Sequence, residues 1–219
     1  MPSFTEVLTR FSLIAGSQAS LGVMLTAGLL LVAYDWRLSI GALAVQYVLS
    51  MILFAQVLPP QVAGVKGLVG LISCIILFLS ARQAQAIASR RASAVEGQPA
   101  SLLVVRGSIM PAGVPFRLIA AAIVGLAVWV TVGRPERLLP EVSSQVTVAV
   151  FSLGAMSLLV VALTEAPLQI GLGLLTLLTG FELFYHAVEP SLSVIALLAM
   201  AHFGIALVTG YLTIVEAGK

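Results

Sequence analysis

The stretch LQIGLGLLTLLTGFELFYHAV occupies residues 168–188 and carries one carboxylate, Glu182, and one imidazole, His186, in an otherwise apolar run. At 1.5 Å of rise per residue such a segment is about 30 Å long as a helix, which is roughly the thickness of a bilayer's hydrocarbon core. Outward from it, further apolar runs of that length fall near 11–33, 38–58, 62–81, 114–132, 144–163 and 191–215. The chain is therefore expected to be an all-α, polytopic membrane protein with about seven transmembrane helices.

Composition agrees. Of 219 residues 60% are hydrophobic and 9% charged, far from the roughly one-quarter charged fraction of soluble domains. The net charge of +2 is spread over few groups, with no basic patch interleaved with aromatics, so no nucleic-acid partner is expected; the partner implied is the lipid bilayer. The single cysteine, Cys74, lies inside the third apolar run and excludes an internal disulfide framework. Met1 to Arg10 lacks a basic segment followed by a short apolar one and a small-residue cleavage site, and reads as having no removable signal peptide.

Arginines set the expected orientation, because cytoplasmic loops carry the Lys/Arg excess. Arg82, Arg90, Arg91 and Arg106, with Arg117 just beyond, stand against one acid, Glu96, between the third and fourth runs. That loop reads as cytoplasmic, as does the turn with Asp35 and Arg37. The N-terminus then lies outside, Lys219 inside, and the balanced loop of Arg134, Glu136, Arg137 and Glu141 outside. The expected organisation is an N-terminal three-helix unit (1–82), a basic cytoplasmic linker (83–113) and a C-terminal four-helix unit (114–219).

A short internal repeat is present. Leu38-Ser39-Ile40-Gly41 opens the second run and Leu168-Gln169-Ile170-Gly171 the sixth; at the same offset Pro60 meets Pro190. Helices one to three would then be a copy of helices five to seven in the same orientation, a parallel repeat of the kind found in some transporters. Chance matches between Leu/Gly-rich helices are the competing explanation.

An ionisable residue within a membrane span is by default a functional candidate. Glu182 is too deep for its short side chain to reach water, and a carboxyl group there stays neutral unless a cation is close. Lys66, His186 and His202 are the available cations. His186, four residues on, shares a helix face with Glu182 and is placed to hydrogen-bond along it. Counted from the turn near Glu189 and Pro190, Glu182 lies about 11 Å and His202 about 18 Å down their helices, an offset that predicts a water between them in place of a direct contact. Lys66, one turn inside the third helix, either snorkels to the interface or turns inward to hold Glu182 ionised. Structural pairing and interhelical glue are the plainer readings of Glu182 and His202.

The segment Leu178-Thr179-Gly180-Phe181-Glu182-Leu183-Phe184-Tyr185-His186-Ala187-Val188 resembles the membrane-glutamate signature of the small K subunit of bacterial complex I. Leu198-Ala199-Met200-Ala201-His202-Phe203-Gly204-Ile205-Ala206-Leu207 resembles that subunit's next helix, with His202 where the family has its second acid. Over most of its length the chain is similar to membrane component E of hydrogenase-4-type complexes, in which a K-type unit follows an extra helical unit. Trp36-Arg37-Leu38-Ser39 and Lys66 have their likenesses there.

The resemblance implies an accessory, non-catalytic subunit of a complex-I-like or hydrogenase-like oxidoreductase assembly in a prokaryotic cell membrane. Its partners would be antiporter-like subunits and a quinone-site or hydrogenase-anchoring subunit. Proton relay would run through Glu182, His202, Lys66 and His186, with no cofactor and no metal. A stand-alone transporter of a small solute or cation and a purely structural scaffold are the alternatives; a retinal protein is disfavoured because the last helix has no lysine.

Overall fold

The computed structural model describes residues 4–33, 35–95, 113–132, 142–189 and 191–218. Within them the chain forms seven helices and no strand: α1 (Phe4–Val32), α2 (Trp36–Phe54), α3 (Pro60–Val95), α4 (Gly113–Val132), α5 (Ser144–Ala162), α6 (Pro167–Val188) and α7 (Leu192–Ala217). Six of these are long and apolar enough to cross a membrane. The expected all-α polytopic fold is what the chain adopts.

Local chemistry sets the helix starts. Asp35 caps α2 by accepting from the Arg37 amide at 2.9 Å, and Ser143 accepts from Val146 N at the start of α5. Each such cap satisfies an amide that has no partner within the helix. Pro167 opens α6, where its missing N–H costs nothing.

One boundary differs from expectation. The segment after Ala81 was read as a linker, but α3 continues to Val95. Ala, Gln and Arg from Arg82 to Ala92 are strong helix formers, and polarity alone marks where the bilayer ends, not where the helix does. Glu96, Arg106, the loop of Arg134, Glu136, Arg137 and Glu141, Pro190 and Lys219 lie outside the described residues.

The helices run alternately up and down. At one end, which carries Arg37, Arg82 and Arg117, the Arg117 guanidinium donates to Leu31 O at the close of α1 and to Leu163 O just past α5. A cation there complements two helix C-termini at once and ties α4 to the bundle. α4 is otherwise peripheral, burying Gly125, Val128 and Val132 and exposing Phe116, Ile123, Leu126 and Trp129.

The remaining six helices repeat. Each of α1, α2 and α3 packs against its counterpart among α5, α6 and α7. α1 ends at Val32 and α5 at Ala162, 130 residues later, the offset of the sequence match. At that offset Ala19, Val23 and Leu30 correspond to Ala149, Leu153 and Val160, all buried. Ala42, Gln46 and Leu53 likewise correspond to Leu172, Thr176 and Leu183, all buried. Gln46 Nε2 donates to Thr176 Oγ1 at 3.3 Å, so two counterpart residues touch each other across the middle of the bundle. Ser39 Oγ and its counterpart Gln169 Nε2 both donate to Ala33 O.

Two apolar clusters fill the interior. Leu30, Leu31, Leu43, Leu77, Leu172 and Leu175 belong to the one toward the arginine-bearing end. Ala19, Val23, Leu53, Phe54, Leu153 and Leu183 belong to the one toward the opposite end. The first draws on α1, α2, α3, α5, α6 and α7, so the N- and C-terminal units share one core.

Candidate charge site

Polar side chains buried in the half of the bundle nearer the α2–α3 and α6–α7 turns converge where α2, α3, α6 and α7 meet. Glu182 comes from α6, Lys66 from the second turn of α3 and His202 from α7. Tyr47 and Ser50 come from α2, and all five are buried. Gly180 permits this approach on the α5 side: a Cβ there would lie 2.8 Å from Leu153 Cβ, so a side chain at 180 would push α6 away from α5.

Lys66 Nζ lies 3.0 Å from Glu182 Oε1, with the two side chains 6% and 5% exposed. Lys66 therefore turns inward, and its ammonium also sits 5.4 Å from the centre of the Phe54 ring, a cation–π distance. An isolated charge here would be costly, and the pair persists because each ion supplies the other's counter-charge.

His202 Nδ1 is 3.5 Å from the same Glu182 oxygen. This corrects the expected water-separated arrangement. Counting residues from the turn placed the two Cα atoms at different depths, but every Cα–Cβ bond tilts toward its own helix N-terminus. In the antiparallel pair α6 and α7 those tilts point toward each other, so the side chains close the gap.

The imidazole meets acceptors at both nitrogens. Nδ1 is 3.1 Å from Leu198 O as well as near Glu182. Nε2 is 3.5 Å from Thr179 Oγ1, whose own proton goes to Leu175 O at 2.8 Å. A ring with N–H on either nitrogen, or on both, finds a partner. Tyr47 packs on the ring at 5.9 Å between centroids.

His186 stands apart from this cluster. It is 1% exposed, it packs edge-on to Phe54 and Tyr185, and neither ring nitrogen has a hydrogen-bond partner. The hydrogen bond expected along the helix to Glu182 is not formed, because the aromatic rings hold the imidazole. Among the described residues no group of His, Cys, Asp and Glu could hold a metal ion, and Cys74 is buried in the core.

Reasoning from the sequence alone missed the polar groups around the charges. Thr179 and Ser50 are buried beside the ion pair, and Gln46 is buried one turn from Ser50 along α2. Their signal was available: Gln46 and Ser50 are one turn apart on α2, and Thr176, Thr179 and Glu182 follow at three-residue spacing on α6. Comparison with protein-family models, curated proteins and solved structures gives no match.

Proposed function

We propose that this chain is a proton-relay subunit of a larger membrane assembly, of the complex-I-like or hydrogenase-like kind its α6–α7 hairpin resembles. The observation that carries the reading is the contact of Lys66, Glu182 and His202 through one carboxylate oxygen in a nearly dry interior. Three groups able to hold or release a proton are in reach of one another. Charged groups at such depth are rare and mark ion or proton pathways.

The roles follow from the contacts. Glu182 accepts and releases the proton. Lys66 holds the carboxylate ionised by its ammonium. His202 passes the proton on, since acceptors at both ring nitrogens accommodate a proton on either side. His186, one turn farther along α6, is the next group toward the end where α2–α3 and α6–α7 turn. In this proposal that end faces outward, and the end with Arg37, Arg82 and Arg117 faces the cytoplasm, following the positive-inside rule, in the inner membrane of a prokaryote.

Mild detergent extraction of the native membrane, with mass spectrometry of what travels with the chain, tests the assembly. Antiporter-like and redox subunits in one large particle are expected, and a small homo-oligomer lacking them would overturn the reading. Glu182→Gln in that particle tests the relay: assembly is retained and proton translocation falls. Unchanged translocation would remove Glu182 from the path.

A second reading is favoured by one observation. The pairing of α1–α3 with α5–α7 about a common centre is the architecture of parallel-repeat transporters, and uptake coupled to a proton gradient in liposomes containing only this chain would support it.

A further inference from the structure

Beside the ion pair lies a cavity of about 20 Å³ lined on its polar side by Ser50, Lys66, Thr179, Glu182 and His202, and on its apolar side by Phe54 and Val69 among others. On the same measure a water molecule needs roughly 10–15 Å³ and two to four polar partners. The Ser50 hydroxyl is 1% exposed and finds no hydrogen-bond partner in the protein. A serine inside a helix ordinarily donates to the carbonyl four residues back, as Ser73 and Ser80 do here. Ser50 does not. One turn along α2, Gln46 Oε1 is likewise buried without a partner, although its Nε2 is bonded to Thr176. Buried polar groups in native proteins ordinarily have a partner, and the Ser50 hydroxyl, lacking one within the protein, borders a polar cavity large enough to supply it.

We infer that this cavity is a binding site for one water molecule, which accepts from or donates to Ser50 and bridges it to the carboxylate of Glu182 and the imidazole of His202. Water fits where a metal ion or an organic ligand does not: the space admits one small molecule, and the lining offers a donor (Lys66), acceptors (Glu182) and groups that do both (Ser50, Thr179). The site adds the Ser50 hydroxyl to the groups within reach of Glu182. In that use it rests on the relay reading, while the hydration itself does not.

Pulsed hydroxyl-radical footprinting of the full chain in lipid nanodiscs, read by mass spectrometry, tests it. Radicals form from water where water is held, so oxidation of Tyr47 and His202 is expected to run several-fold above that of Met156 after correction for intrinsic reactivity. Met156 is the more oxidisable side chain and is 2% exposed within the apolar cluster. Ser50→Ala, which removes the hydroxyl without adding bulk, should bring Tyr47 down toward the Met156 level. Tyr47 and His202 at that level in the unaltered chain would overturn the water site. The two readings fail separately. Labelled Tyr47 with unimpaired translocation in Glu182→Gln retires the relay and leaves the water; unlabelled Tyr47 with impaired translocation retires the water and leaves the relay.

Discussion

Position 182 on α6 and position 52 on α2 are counterparts at the repeat offset, and they hold a glutamate and an isoleucine. The neighbouring position is common to both, Leu53 and Leu183 each being fully buried one residue later, while of the phenylalanines that follow Phe54 is buried and Phe184 exposed. One copy of the repeat has therefore been given a charge and the other has stayed apolar. The difference teaches that the bundle does not need the ion pair in order to pack. A six-helix scaffold built twice over from Leu, Ala and Gly supplies the stability, and Lys66, Glu182 and His202 are an addition that the scaffold must tolerate.

The comparison is broken most forcefully by removing one charge. Lys66→Met leaves Glu182 buried without a counter-ion, and the expected loss is about 3–5 kcal/mol, read as a lowered thermal midpoint in detergent. Adding Glu182→Leu to the same chain should restore most of that loss, because both copies are then apolar. Failure of the double variant to recover would mean that the scaffold depends on the pair after all.

Ile52→Glu makes the copies alike in the other direction. The new acid would stand two residues from the end of α2, so it should cost less than the roughly 2.5–3.5 kcal/mol of a charged residue at mid-membrane but more than Ile52→Leu, which should cost less than about 1.5 kcal/mol. Yield of folded protein in the membrane fraction ranks the two.

Gly180→Ala sharpens the comparison on the packing side. Its Cβ would meet Leu153 Cβ at 2.8 Å and Gly154 N at 3.4 Å, so a cost of about 1–3 kcal/mol is expected. Gly204→Ala, with nothing within 4 Å of its added Cβ, should be neutral to within about 0.5 kcal/mol. A comparably small effect belongs to Gln46→Leu. Interhelical hydrogen bonds within membranes average about 0.6 kcal/mol, so the thermal midpoint should move little even though the Thr176 contact is lost.

Much of this was legible before the structure. Helix number and approximate extent follow from the spacing of apolar runs, since a bilayer of fixed thickness sets the length of each. The match at Leu38 and Leu168 lies at the same offset as the ends of α1 and α5 and as several pairs of buried positions. Glu182, Lys66 and His202 stood out because ionisable groups are rare in such runs. What could not be read was how far side chains reach across an antiparallel pair: depth along a helix axis locates Cα atoms, while Cβ tilt and side-chain length decide contact. The inward turn of Lys66 was undecidable for the same reason, a four-carbon stem being able to serve either end. His186 was misjudged because its neighbours on other helices, Phe54 above all, are distant in sequence. The end of α3 was missed because a change in polarity was taken for a change in backbone.

That last helix has a mechanical meaning. Lys66 near one end of α3 and the exposed Arg90 and Arg91 near the other ride on a single unbroken rod about 54 Å long at 1.5 Å per residue. A rod of this kind transmits tilt and rotation with little loss. Any protein or lipid surface that takes hold of the arginine tip thereby also holds a handle on the ammonium that neutralises Glu182.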